Sequence, residues 1–226
     1  IQLQTITGDT YDFPETKDGT LVELCSFLTL HGNSSPMKFD TWFEVDEWIP
    51  QHNTRLLSSN RIRSELEYNA ERLLTQKDWD NLLPSYRKFV GLKKNDRETL
   101  INMLNRVNHS KVRWNPVDRA MDLGVALESV LLGKKESKSI KHKFSSRAEW
   151  LLHDVNSVSV YNFFKALYSC RCDAVHDGHL RDKYQIGNAN ILSSYQLIEK
   201  STEFALMLII RIINYGSVPN WASLKI

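Results

Sequence analysis

Between Ile191 and Ile212 the residues Ile191, Tyr195, Ile198, Thr202, Ala205, Ile209 and Ile212 recur at steps that alternate four and three. A strand cannot carry that period, because its side chains change face at every residue. The spacing predicts a long helix over 188–215, with one stripe packed against other helices. Those helices belong either to the same chain or to a second copy. Gly216, followed by Pro219, ends the helix.

From about Ser58 onward the same periodicity predicts further helices over 59–76, 78–90, 96–108, 116–133, 146–154 and 158–176. Asp96 is placed to cap the third of these. Asn115 before Pro116 suits the start of the fourth, since proline is tolerated at the first helical position. Ser146 with Glu149 has the spacing of a capping box for the fifth. The first fifty residues read differently. "IQLQTI" alternates and "GDTYDF" turns, while "TLVELCSFLTL" and "MKFDTWFEV" are strand-like around the turn-rich "HGNSSP". The expected fold class is mainly α. A helical domain over 55–226 follows a β-rich segment over 1–54, read as the end of a truncated upstream domain. No internal repeat or low-complexity tract is visible.

The chain has 226 residues, 42% hydrophobic and 25% charged, with a net charge of +2. That balance suits a globular protein with a sizeable core. Charge of the whole molecule does not announce a nucleic-acid binder, so such a surface has to be a local patch. The longest apolar run, Phe204–Ile210, is far short of the ~20 residues needed to span a bilayer. The cysteines, Cys25, Cys170 and Cys172, are odd in number and do not resemble a disulfide framework. A reducing cytoplasm is the expected compartment. Cys170, Cys172 and His176 are a weak metal-ligand set, because the paired ligands of a closed zinc site are absent. No metal or cofactor is implied. The chain opens on Ile1 rather than Met, so sequence upstream is expected.

Arg171 and His176 carry the chemistry. On a helix over 158–176, Tyr161, Phe164, Tyr168, Arg171 and Val175 fall on one stripe. A guanidinium on an apolar stripe must face a carboxylate, a wet cleft, an interface or an anionic ligand. His176 precedes Asp177 and Gly178, a helix stop that puts the imidazole in the last turn, where the helix dipole favours a cation. Such a histidine suits proton transfer near neutral pH. Five residues separate the two, about 140° around a straight helix. Spacing alone leaves open a structural ion pair and a simple cap.

Three stretches, "VDRAMDLGVALESVLLG", "KFSSRAEWLL" and "LYSCRCDAVHDG", together resemble the Apea-like branch of the HEPN superfamily. The resemblance spans about residues 55–215. It implies a helical bundle, often dimeric, in which two R-x(4–6)-H motifs line one cleft. Many such domains are metal-independent endoribonucleases, and Arg171 and His176 match the motif. Cys172 follows the arginine where many active members carry Asn, Asp or His, and Asp173 comes one place later. A toxin-like or anti-phage role, restrained by an upstream sensor, is also what the resemblance implies.

The chemistry fits those residues. RNA is cut without metal when its own 2′-hydroxyl attacks the adjacent phosphate, leaving a 2′,3′-cyclic phosphate and a 5′-hydroxyl. His176 would move the proton and Arg171 would hold the charge gathering on the phosphate. With two subunits, one His176 acts as base and the other as acid. Glu128 lies on the line Met121, Val125, Glu128, Leu132 and is a candidate partner for Arg171. Asp173 is a further supporting candidate, and Tyr168 is placed to stack on a base or to sit in the core. The segment 133–147 holds Lys134, Lys135, Lys138, Lys141, Lys143 and Arg147 against one acid, Glu136. It reads either as a contact for RNA phosphates or as a solvated loop. The expected partners are RNA and a second copy of the chain. The rival reading is a non-catalytic HEPN module that dimerises or binds nucleotides or RNA.

Overall fold

The structure, a computed structural model, describes residues 2–4, 10–12, 18–31, 75–133, 136–155, 159–188 and 190–224. These residues form a mainly α fold, as the periodicity predicts. Strands β1 (Gln2–Gln4) and β2 (Thr10–Asp12) pair antiparallel, Gln2 opposite Asp12. Helices follow: α1 (Asp18–Leu28), α2 (Gln76–Val90), α3 (Lys94–Val112), α4 (Pro116–Leu131), α5 (Ile140–Leu151) and α6 (Val160–His176). The hairpin of β3 (Lys183–Ile186) and β4 (Asn190–Ser193) then leads into α7 (Ser194–Tyr215).

Several expectations change. The strand-like stretch 20–30 is helical up to Leu28 in α1, with a turn at residues 29–30. A short apolar run fits either element by pattern, and packing decides. Phe27 in the last turn of α1 and Leu30 in the turn that follows are both buried in the core. Phe27 meets Tyr86 and Phe89 of α2 at ring-centre distances of 5.0 and 5.3 Å. Ser26 bonds Asn105 of α3 at 2.7 Å. This helix therefore shares the core of the bundle that follows it. The stretch 37–45, and the helix expected over 59–76 up to residue 74, lie outside the described residues.

Caps explain the other boundaries. Thr75 and Asp78 form a capping box that starts α2. Asn115 accepts from the Val117 amide at 2.9 Å with Pro116 at the first helical position, as expected. Asp96 does not cap α3. That helix begins two residues earlier, and Asp96 lies in its first turn, where a carboxylate suits the dipole. Helix α5 starts at Ile140, so Ser146 and Glu149 lie inside it and cap nothing. The apolar line of Ile140, Phe144 and Ala148, one turn apart, outweighs the capping signal. Residues 188–215 divide into β4 and α7 at Ser193, whose side chain forms a capping box with Gln196. Ile198, Thr202, Ala205, Ile209 and Ile212 are buried as the seam predicts, while Ile191 and Tyr195 are both 63% exposed.

The core lies where α4 and α7 meet α3, α5 and α6. Phe163 and Phe164 of α6 pack on Phe204 of α7, and Phe144 of α5 packs on Phe164. Aromatic burial of this kind contributes most of the stability of such a core. The chain after α7 folds back: Trp221 donates to the Val130 carbonyl at 2.7 Å and lies under the Arg147 guanidinium. Among the described residues no helix is long and apolar enough to cross a membrane.

Candidate functional site

Helix α6 begins at Ser159, whose hydroxyl accepts from the Asn162 amide, and buries Phe163, Phe164, Leu167 and Cys170 along its inner face. That burial fixes its rotation and so fixes where Arg171 and His176 emerge. Arg171 crosses the backbone of α4 at Gly124. A Cβ at that position would stand 2.3 Å from the Arg171 Cγ, so only glycine leaves room for the arginine stem. One helical turn on, Glu128 accepts from Arg171 Nη2 at 3.0 Å. Gly124 and Glu128 thus form a groove and a stop that seat the guanidinium. Both side chains of the pair keep 22% of their surface in solvent. The Arg171 Nε is buried without a hydrogen-bond partner, so the guanidinium holds donor capacity that Glu128 does not satisfy.

The pair lies on the wall of a cleft of about 1060 Å³ between the start of α3, α4 and α6. Its charged lining is Asp96, Glu98, Glu128 and Glu136 against Arg171. Tyr168 also lines the cleft, with its ring against Phe144 at 5.4 Å. Burial pushes the Tyr168 phenol above its ordinary value, with Cys172 and Glu128 adding to the effect. Tyr168 therefore belongs to both the core edge and the cleft.

His176 does not line this cleft. It is exposed in the last turn of α6, which Asp177 caps and Gly178 leaves with a left-handed φ of 69°. A positive φ there is the usual glycine stop. Asp173 is turned away from Arg171. Its buried carboxylate accepts from Arg181 Nη2 at 2.9 Å and from the Tyr184 hydroxyl at 2.8 Å. Its role in the structure is to clamp the β3–β4 hairpin against α6, and sequence reasoning did not expect that hairpin. Cys170 is buried beside Tyr184, and burial pushes its thiol up to about 11. Among the described residues no group of three or more His, Cys, Asp or Glu is placed to hold a metal ion.

The basic segment divides. Arg147 is buried, donating to the Leu131 carbonyl and to Glu136 Oε1, both at 2.8 Å. Lys143 lies 3.3 Å from Glu136. Burial works to raise the Glu136 carboxyl, but hydrogen bonds from Arg147, the Gly133 amide and Lys143 outweigh it and hold the pKa below the ordinary value. Two of the expected RNA contacts are therefore committed inside the fold. Lys138 is exposed, and Lys141 reaches Ser169 of α6 at 2.6 Å. Lys134 and Lys135 lie outside the described residues.

No family model, no curated protein and no solved structure matches this chain.

Proposed function

We propose that this chain is a metal-independent endoribonuclease of the HEPN type, with Arg171 as the phosphate-holding group and His176 as the proton-transfer group. The observation that carries this reading is the seating of Arg171: a guanidinium fixed by Gly124 and Glu128, still partly open to water, whose bond to Glu128 uses one Nη2 hydrogen and leaves other Nη donors for a ligand. A fixed, partly desolvated cation is what stabilises charge developing on a phosphodiester. His176 is exposed at the end of the same helix and free to meet a backbone that lies across it. In the cleavage step the 2′-hydroxyl loses its proton to an imidazole and attacks phosphorus. The 5′-oxygen leaves with a proton from a second acid, His176 of a second copy in a dimer. A toxin-like or defence role extends the same reading.

The ion pair itself favours a second reading. Arg171 with Glu128, facing a cleft with three further carboxylates, also suits an architectural pair in a non-catalytic module that binds RNA or a second copy. Incubating mixed RNA with the protein in EDTA separates the two. The enzyme cuts with chelator present and leaves 2′,3′-cyclic phosphate ends, and Arg171→Ala cuts about 10²–10³-fold more slowly. Intact RNA after incubation with a folded protein that still binds it supports the module instead.

A further inference from the structure

Around α6, His176 and Arg171 belong to different stripes. His176 continues the line Tyr161, Lys165, Ser169, Cys172, at steps of three or four, which is one face of a helix. Every residue on that line is half-buried or exposed. Helix α5 adds two groups beside it: Lys141, whose Nζ meets the Ser169 hydroxyl at 2.6 Å, and His142, whose Nδ1 lies 3.0 Å from the Tyr161 hydroxyl. Lys141 and Lys165 make no ion pair with a carboxylate among the described residues. The ridge contains no acid from Tyr161 to His176. Glu149, two turns beyond His142 on α5, is the nearest carboxylate along that helix face.

We infer that this α5–α6 ridge, through Lys141, His142 and Lys165, is the track that a single RNA strand follows to His176. The inference rests on the RNA-cleaving reading for its end point, but not for the binding itself. From Tyr161 to His176 the helix rises about 22 Å, long enough for several nucleotides. Cations at helical spacing meet successive phosphates, and the rings of Tyr161 and His142, in edge contact at 5.8 Å, offer faces to unstacked bases. The cleft on the neighbouring stripe carries four carboxylates, so the strand follows the ridge and only its scissile phosphate turns to Arg171.

The test uses the whole chain and a single-stranded RNA methylated at every 2′-oxygen, which binds but cannot be cut. Affinity is measured against salt for the wild type, for Lys141→Gln with Lys165→Gln, and for Lys143→Gln. Each lost phosphate contact on a single strand lowers the salt slope by about 0.7, so the double variant should lose about 1.4 while Lys143→Gln keeps the wild-type slope. Bound RNA should also shield Cys172 from alkylation, read at the level of its peptide. An unchanged slope in the double variant, an equal loss at Lys143→Gln, unshielded Cys172, or equal binding of anionic vesicles would each overturn the track. A track that passes while unmethylated RNA survives uncut leaves RNA binding in place and removes the nuclease.

Discussion

The two sides of α6 differ in how they hold charge. On the Arg171 side the cation is matched by Glu128, seated over Gly124 and surrounded by Asp96, Glu98 and Glu136. On the His176 side the cations Lys141 and Lys165 lean on neutral groups or on solvent. A matched pair in a shaped groove is fixed in place and costly to move, whereas unpaired surface lysines are mobile and add long-range attraction. One helix thus separates a rigid charge, suited to holding one phosphate in a set geometry, from a diffuse field suited to gathering a strand.

The sharpest blow to that contrast falls on the hairpin beyond His176. Asp173→Ala removes the partner of the buried Tyr184 hydroxyl and should cost roughly 2–3 kcal/mol. Hydrogen exchange should show the amides of β3 and β4 losing protection while those of α4 keep theirs. Equal loss in both would mean that the two sides do not separate energetically.

Next in size is Gly124→Ala. The added methyl group collides with the Arg171 stem and should destabilise by about 1–3 kcal/mol, despite the better helix propensity of alanine. In an Arg171→Ala background the clash is gone, and the same substitution should stabilise by up to about 1 kcal/mol. Denaturant midpoints of the four proteins in this cycle read the reversal directly. The same sign in both backgrounds would show that the arginine does not occupy the groove.

The smallest effect is expected from Glu128→Gln. Glutamine keeps the shape and an oxygen that can accept from Arg171 Nη2, so stability should fall by only about 1 kcal/mol. RNA binding should tighten severalfold as one negative charge leaves the cleft wall, and binding isotherms at low salt would show it. Unmoved affinity would mark the Arg171 side as remote from the bound strand.

Helical regions with long apolar periods were legible in the sequence. The buried part of the α7 seam, the start of α4 at Asn115 and the stop at Gly216 all follow from spacing and cap chemistry. Short elements were not. Residues 20–30 are a short, mostly apolar run, broken by Thr20, Glu23, Ser26 and Thr29, so their local pattern fits either element and the helix to Leu28 is decided by contact with Tyr86 and Phe89, far along the chain. The β3–β4 hairpin did leave a signal, apolar Tyr184 and Ile186 alternating with polar Lys183 and Gln185 just ahead of Gly187. At the site, a carboxylate partner for Arg171 was readable from the polar break at Glu128 in an apolar line. Gly124 was missed, since no local pattern marks a glycine needed by a side chain forty-seven residues away. Nor did charge counting foresee that Arg147 and Lys143 would turn inward to Glu136.

Single-turnover cleavage of a saturating single-stranded RNA in EDTA, wild type against His176→Ala, tests the central claim most directly. His176→Ala should bind RNA as the wild type does, because Lys141 and Lys165 remain, and should cut it about 10²–10⁴-fold more slowly. Equal rates in the two proteins, or no cutting by either, would contradict it.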